Sequence, residues 1–203
     1  MAIADTLSYF LTVIALAVAP GPVVLMLMAR AASSDVKGAI GFGFGSAIGG
    51  VAIISAVCFG LSAWFTAVPA ILDYSKYAMA AYISWIAWGI WKGGFNLNGS
   101  SDIQHRSAIT SVGAGLLSCL ISPYYVVLLP LTLPELMDMT VIRMPDFLIV
   151  ATTTFLAITV GNSLIVVFAA QLRRIAKSPR AAAIMNRSLA TVLLIVGGWM
   201  ALA

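Results

Sequence analysis

Charged side chains are scarce in this sequence. Asp, Glu, Lys and Arg make up 9% of its 203 residues, against about 25% in an ordinary soluble domain. Apolar residues make up 62%, and the mean hydropathy is +1.05. A water-soluble core of this size cannot bury so much apolar surface, so the composition excludes a soluble globular domain and predicts an integral membrane protein.

Histidine and cysteine are almost absent, which argues against metal sites and hydrolytic centres. His105 is the single histidine and lies in a polar stretch, while Cys58 and Cys119 fall within apolar runs. A metal site needs several converging ligands, and a Ser-His-Asp centre needs a histidine beside its nucleophile. The sequence offers neither, so we expect no metal, no cofactor and no enzymatic activity. Both cysteines are expected to be buried, inert thiols.

Apolar runs long enough to cross a membrane dominate the chain instead. About 20 consecutive apolar residues mark a spanning helix, and six such runs occur, at residues 7–29, 39–65, 77–91, 108–133, 147–171 and 188–202. None of them contains a carboxylate or a histidine, so an intramembrane proton relay is not indicated. The expected fold is an all-α integral membrane protein with six transmembrane helices in a single domain over residues 1–203.

The few basic residues are concentrated in alternate loops. Positively charged loops stay in the cytoplasm, and nine of the eleven Lys and Arg residues follow the first, third and fifth runs. Six spans with this pattern place both termini in the periplasm. The net charge of +4 is therefore interpreted as a topology signal and not as a nucleic-acid-binding surface.

Prolines interrupt the first and fourth runs at corresponding places. The first run contains Pro-Gly-Pro at residues 20–22, and the fourth contains Ser-Pro at residues 122–123. Three runs lie in each half of the chain, about residues 1–100 and 101–203, so the halves should have opposite orientations. Matching breaks in two such halves are typical of transporters built from inverted repeats. We therefore predict two inverted three-helix repeats, each with its first helix broken by proline.

The break in the first run has two interpretations. Proline has no N–H and its ring clashes with the carbonyl one turn earlier, so carbonyls near Leu16 and Val18 lose their helical partners. Gly21 lets the backbone leave helical angles. An unpaired carbonyl at membrane depth must face protein, water or a ligand. The break is therefore either a kink that improves packing or a discontinuous helix whose exposed backbone lines a substrate site.

Glycines recur every four residues in the second run. Gly41, Gly45 and Gly49 lie on one helix face, where small residues let two helices approach closely. Close packing is the first expectation for this face. Beside a broken first span, it would also leave room for a small ligand or for sliding between two states.

Polar side chains cluster in the fourth and fifth runs. Thr159, Asn162 and Ser163 share a helix face because they are three and four residues apart, and Tyr124 follows the second break. An asparagine at membrane depth needs a hydrogen-bond partner. Asn162 is expected to bond either to another helix or to a substrate, and Tyr124 to contact either a substrate or the membrane interface.

Three motifs of the chain occur together in one known family. They are Ala-Pro-Gly-Pro at residues 19–22, a glycine ladder that runs from Gly38 through Gly41 to the Gly-Ser-Ala-Ile-Gly step at 45–49, and Ser-Pro-Tyr at 122–124. Through these motifs, its length and its six-span layout, the chain resembles the LysE/RhtB family of exporters of lysine, homoserine, threonine and related amino acids. Two positions depart from the family pattern: Gly50 stands where an acidic residue is usual, and Tyr124 replaces the lysine of an Asn-Pro-Lys motif.

The resemblance implies a transport function. It implies a secondary transporter that exports small amino acids or related metabolites across the bacterial inner membrane by alternating access, here with a more neutral substrate. An accessory or scaffold subunit without transport activity is the alternative. The expected partners are a small-molecule substrate, the lipid bilayer and a second copy of the chain in a homodimer, but not nucleic acid. Substrate is expected to bind between the two breaks, at Pro20, Gly21, Pro22, Gly45, Gly49, Ser122, Pro123, Tyr124 and Asn162.

Overall fold

All regular secondary structure in the described part of the chain is helical. The computed structural model describes residues 3–19, 21–32, 35–61, 77, 81, 84–85, 87–88, 91–92, 108–133, 143–175, 187, 190–191 and 194–195. The helices are α1 (Ile3–Val18), α2 (Pro22–Ala32), α3 (Val36–Ala56, continued by a π-helical segment, Val57–Leu61), α4 (Ala108–Ile121), α5 (Pro123–Leu131) and α6 (Met144–Ile175). This confirms the predicted all-α membrane fold. The third and sixth predicted runs, at residues 77–91 and 188–202, lie mostly outside the described residues.

Two described helices are long and apolar enough to cross a membrane without interruption, Val36–Gly60 with 25 residues and Met144–Gln171 with 28. Two bent pairs also qualify when each pair is taken as one span, namely Ile3–Val18 with Pro22–Ala31 and Ile109–Ile121 with Tyr124–Pro130. These four segments correspond to the first, second, fourth and fifth predicted runs. Each boundary lies within five residues of its predicted position; the last residues of the second run, 62–65, lie outside the described residues.

Both bent pairs turn by 66° at their break. In each case a proline begins the second helix: Pro22 is the first residue of α2 and Pro123 is the first residue of α5. Proline suits this position because its missing N–H has no partner in the first turn of a helix and its fixed φ is already helical. The predicted breaks in the first and fourth helices are thus confirmed, and each ends one helix and starts another.

Glycines allow α3 and α4 to touch through their backbones. A Cβ added at Gly45 would overlap the carbonyl group of Val112 in α4, and a Cβ added at Gly115 would overlap the carbonyl group of Phe42 in α3. Gly49 lies one turn further along the same contact, where an added Cβ would come 3.1 Å from the next α4 carbonyl oxygen. The predicted close packing of this glycine face is therefore confirmed at Gly45 and Gly49, and its partner there is α4.

The long helix α6 packs against α1, α2 and α3 and completes the described core. The hydroxyl groups of Tyr9 on α1 and Thr154 on α6 are 2.6 Å apart and share a buried hydrogen bond. Cys58 and Cys119 are both buried and free, as predicted. The core therefore joins helices that precede and follow the midpoint of the chain.

Candidate functional site

The two helix breaks lie against each other. The Tyr124 ring, at the start of α5, is 3.9 Å from the position that a Cβ would take at Gly21, between α1 and α2. The Tyr124 hydroxyl donates a long hydrogen bond of 3.3 Å to the carbonyl oxygen of Leu16. Leu16 precedes Pro20 by four residues, so in a continuous helix its carbonyl would accept a hydrogen bond from the amide of residue 20. Proline has no N–H to donate. The second break therefore supplies the hydrogen bond that the first break removes.

The amino end of α2 carries amide groups with no acceptor in the helix. The helical ladder begins with the Leu25 amide, which donates to the Gly21 carbonyl at 2.9 Å. Val23 and Val24 come before it, and amides in the first turn of a helix have no intrahelical partner. Because the helix dipole also concentrates positive potential at this end, the start of α2 favours a negatively charged group.

The amino end of α5 repeats this arrangement. Its ladder begins with the Val126 amide, which donates to the Ser122 carbonyl at 3.1 Å, so the amides of Tyr124 and Tyr125 precede it. Ser122 has an extended backbone (φ −70°, ψ 112°) and occupies the N-cap position, but its side chain makes no capping hydrogen bond. A serine at this position usually accepts from a first-turn amide. No side chain therefore caps the amino end of α5.

Two buried hydroxyl groups beside the second break have no hydrogen-bond partner. They are Ser122 Oγ and the Tyr125 hydroxyl, on residues that are 2% and 3% exposed. Buried polar atoms are nearly always paired in native proteins, and an unpaired one calls for an explanation such as a bound water or ligand. Both hydroxyls can donate, so the second break combines free amides with free hydroxyl donors.

Asn162 forms hydrogen bonds to another helix, which is one of the two roles predicted for it. Its Nδ2 donates to the Gly43 carbonyl at 3.0 Å and to Ser46 Oγ at 2.7 Å, both on α3. Its Oδ1 is buried and has no partner. The preceding residue, Gly161, touches α1, where an added Cβ would come 2.6 Å from the Ala17 Cβ. Asn162 therefore lies beside the first broken span but faces α3.

A groove of about 290 Å³ lies between α3 and α6. Thr159, Asn162 and Ser163 all line it, which confirms that these three residues share a face. The other lining residues among those that the structure describes are apolar or glycine: Val36, Ala39, Ile40, Gly43, Phe44, Val166 and Val167. Among the residues that the structure describes, no cluster of His, Cys, Asp or Glu side chains could hold a metal ion.

Comparison with known proteins identifies the family of the chain. The sequence model of the family described as LysE type translocator matches residues 14–203, nearly the whole chain. The chain belongs to this family. An uncharacterized membrane protein of Vibrio cholerae serotype O1 is 25% identical over 181 residues, which cover 89% of this chain and 88% of the relative. No solved structure matches the chain significantly.

The predicted site residues of this LysE type translocator fall into separate groups. Tyr124 lies against Gly21 where the breaks meet, Ser122 is the N-cap residue of α5, and Pro22 and Pro123 are the first residues of α2 and α5. Asn162 borders the groove, while Gly45 and Gly49 face α4. Pro20 lies outside the described residues. The prediction that all nine residues contact substrate remains a prediction.

The translocator also contains a buried charged cluster that sequence reasoning interpreted only as a topology signal. Arg30, at the end of α2, is 6% exposed. Its Nη1 donates to Ser111 Oγ of α4 at 3.1 Å and lies 3.9 Å from Asp35 Oδ2, and its guanidinium carbon is 5.1 Å from the centre of the Phe42 ring. Asp35 caps α3 by accepting the Gly38 amide at 2.9 Å. The sequence signal for this cluster was a single arginine followed closely by a single aspartate at the end of an apolar run.

Proposed function

We propose that this LysE type translocator exports small carboxylate-bearing metabolites, amino acids among them, across the bacterial inner membrane. The observation that carries the proposal is the meeting of the two breaks, with the uncapped end of α5 beside Gly21 and Tyr124 bonded to the Leu16 carbonyl. Membership of a translocator family supports a transport role. The substrate class and the outward direction are our inference.

The chemistry of the breaks favours a carboxylate. Broken helices in transporters commonly point their amino ends at the anionic group of a substrate, because free amides and the helix dipole both stabilise negative charge. Here the hydroxyls of Ser122 and Tyr125 add two unused donors at the second break. None of the break residues is charged, so dipoles and hydrogen bonds would hold the carboxylate, and a zwitterion of zero net charge suits the site.

Alternating access is the proposed mechanism. The two breaks occur at corresponding positions of the two halves, and the equal bends of 66° support a shared construction. If the halves are inverted repeats, rocking of one against the other exposes the breaks first to one side of the membrane and then to the other. The distribution of basic residues supports cytoplasmic loops after the first, third and fifth spans and periplasmic termini.

Efflux from preloaded cells tests the proposed site. Ser122→Ala removes a buried hydroxyl that has no protein partner, so it should leave folding intact while weakening the hold on a carboxylate. Cells that express the wild type or this variant are loaded with labelled amino acids, and the rate of release is measured. Ser55→Ala is the matched control, because the Ser55 hydroxyl bonds at 2.7 Å to the Val51 carbonyl of its own helix.

We expect slower efflux for Ser122→Ala and wild-type efflux for Ser55→Ala at equal membrane abundance. Identical efflux rates for Ser122→Ala and the wild type would remove the second break from the substrate site. If the wild type releases none of the labelled carboxylates faster than cells lacking the protein, the scaffold-subunit alternative is favoured instead.

A further inference from the structure

The Leu16 carbonyl at the first break is bonded to a side chain from the other half of the chain. The last helical hydrogen bond before the break is donated by the Ala19 amide to the Ala15 carbonyl at 3.0 Å, and the next residue, Pro20, has no N–H for Leu16. The Tyr124 hydroxyl donates to the Leu16 carbonyl instead, at 3.3 Å. Hydrogen bonds between two oxygen atoms are usually about 2.7–2.8 Å long, so this bond is weak.

A substrate that enters between the two breaks has to displace Tyr124 from the first one. The Tyr124 ring lies only 3.9 Å from the position that a Cβ would take at Gly21. A carbonyl at membrane depth must keep a donor, so the Leu16 carbonyl needs a new donor once the hydroxyl leaves. A carboxylate cannot supply one because it only accepts, whereas an ammonium group carries three donors.

The amides at the start of α5 are within reach of the same ligand. The Tyr124 amide precedes the first ladder amide of α5, that of Val126, and the hydroxyl of the same tyrosine reaches the Leu16 carbonyl. The amide and the carbonyl are therefore no further apart than the length of one tyrosine residue and one hydrogen bond. A molecule whose carboxylate and ammonium are attached to one carbon atom, with a hydrogen bond of about 2.9 Å at each end, reaches across a distance of this order.

We propose that Tyr124 is a specificity-determining residue, whose hydroxyl covers the Leu16 carbonyl until the ammonium group of an α-amino acid replaces it. The proposal rests on the carboxylate site proposed above and adds the group that recognises the amine. The Leu16 carbonyl accepts from the ammonium, while the first-turn amides of α5 hold the carboxylate. A carboxylate without the amine leaves the Leu16 carbonyl unpaired, and the cost of that unpaired acceptor selects against it.

L-2-Aminobutyrate and butyrate are the matched probes, because they differ only by the ammonium group. Full-length protein in lipid nanodiscs is titrated with each while its thermal stability is followed, since a ligand that binds the folded state raises the melting temperature in a saturable way. 4-Aminobutyrate carries the same two charged groups further apart. We expect L-2-aminobutyrate to bind at least about tenfold more tightly than either of the other two.

Two variants should shift this preference in opposite directions. Tyr124→Phe removes the competing hydroxyl and leaves the Leu16 carbonyl unpaired in the free protein, so the affinity ratio of L-2-aminobutyrate to butyrate should rise about fivefold. Tyr125→Phe is its control, because the Tyr125 hydroxyl has no partner and its removal should change both affinities alike. Pro20→Ala supplies an N–H for the Leu16 carbonyl and should bring the ratio close to one. Its control is Pro130→Ala, which replaces a proline inside α5 and should leave the ratio unchanged.

Equal binding of L-2-aminobutyrate and butyrate by the wild type, or no saturable effect of either, would overturn the proposal. It is also overturned if Tyr124→Phe and Tyr125→Phe change the ratio equally, or if Pro20→Ala keeps the wild-type ratio. Amine-dependent binding without efflux from preloaded cells would support the role of Tyr124 and count against transport alone. Efflux of butyrate as fast as that of L-2-aminobutyrate would leave the transport role standing and remove the role of Tyr124.

Discussion

Tyr124 and Tyr125 are adjacent and similarly buried, but their hydroxyls have opposite surroundings. The Tyr124 hydroxyl bonds to the Leu16 carbonyl at 3.3 Å, whereas the Tyr125 hydroxyl has no partner. The variants Tyr124→Phe and Tyr125→Phe remove the same atom at neighbouring positions, so each is a control for the other. We expect the first to lower the free energy of unfolding and the second to leave it unchanged or raise it.

The size of the difference follows from the two environments. Hydrogen bonds between membrane helices contribute about 0.6 kcal/mol on average and about 1.7 kcal/mol at most, and a buried carbonyl left unpaired costs about 1–3 kcal/mol. Because the Tyr124 bond is long for two oxygen atoms, we expect a loss of about 1 kcal/mol for Tyr124→Phe. Removing the unpaired Tyr125 hydroxyl should recover a similar amount, about 1 kcal/mol.

Thermal unfolding of the purified variants in one detergent measures the difference. About 2 kcal/mol corresponds to a separation of about 4–8 °C between the two melting temperatures for a chain of this length. If the Tyr125 hydroxyl contacts the substrate, Tyr125→Phe should also export more slowly while melting no lower than the wild type. A Tyr125→Phe protein that melts below Tyr124→Phe would refute the assignment of the paired and unpaired hydroxyls.

Three further predictions test the packing, the charged cluster and the topology. Gly45→Ala should destabilise the protein because the added Cβ would overlap an α4 carbonyl. Its control, Gly113→Ala, has nothing within 4 Å of the added Cβ and should be neutral or stabilising by up to about 1 kcal/mol. Equal melting temperatures of the two variants would contradict the contact between α3 and α4. Arg30→Gln breaks a buried ion pair and should lower the free energy of unfolding by about 3 kcal/mol or more. Lys37→Gln, at an exposed position, should change it little. A denaturation experiment in which Lys37→Gln is the less stable variant would count against the charged cluster. A cysteine introduced at Ser178 should resist an impermeant thiol reagent in intact cells, and ready labelling there would reverse the proposed topology.

Local backbone rules made the breaks predictable from the sequence. A proline removes one N–H and displaces one carbonyl wherever it occurs, so residues 20–22 and 122–123 indicated the ends of α1 and α4 without knowledge of their neighbours. The glycine face was predictable for the same kind of reason, since spacing alone places Gly45 and Gly49 on one side of a helix. The partner of that face, α4, was not predictable, because any helix could have filled the space.

The contacts of the candidate site could not be predicted from the sequence, because they depend on how the helices pack in the folded chain. Asn162 was expected to bond to another helix or to a substrate, but its two bonds to α3 and its unpaired Oδ1 depend on how α3 and α6 are rotated against each other. The bond between Tyr124 and the Leu16 carbonyl joins residues 108 positions apart. Arg30 was interpreted from its charge alone, which indicates a side of the membrane but not a buried partner.

The reciprocal glycine contact between α3 and α4 restricts how these helices can move. A displacement of α3 by one residue would set a side chain against the carbonyl that now meets Gly45. A displacement by four residues can bring Gly41 to that place and Gly45 to the place that Gly49 now occupies against α4, and four residues of α-helix measure about 6 Å. If the two helices slide past each other, the contact therefore restricts them to a ratchet with steps of one turn, comparable to the one-turn steps known at other bistable interfaces. Pulsed-resonance distances between labels on α3 and α4 should then be either constant or divided into two discrete sets, and a continuous spread would contradict the ratchet.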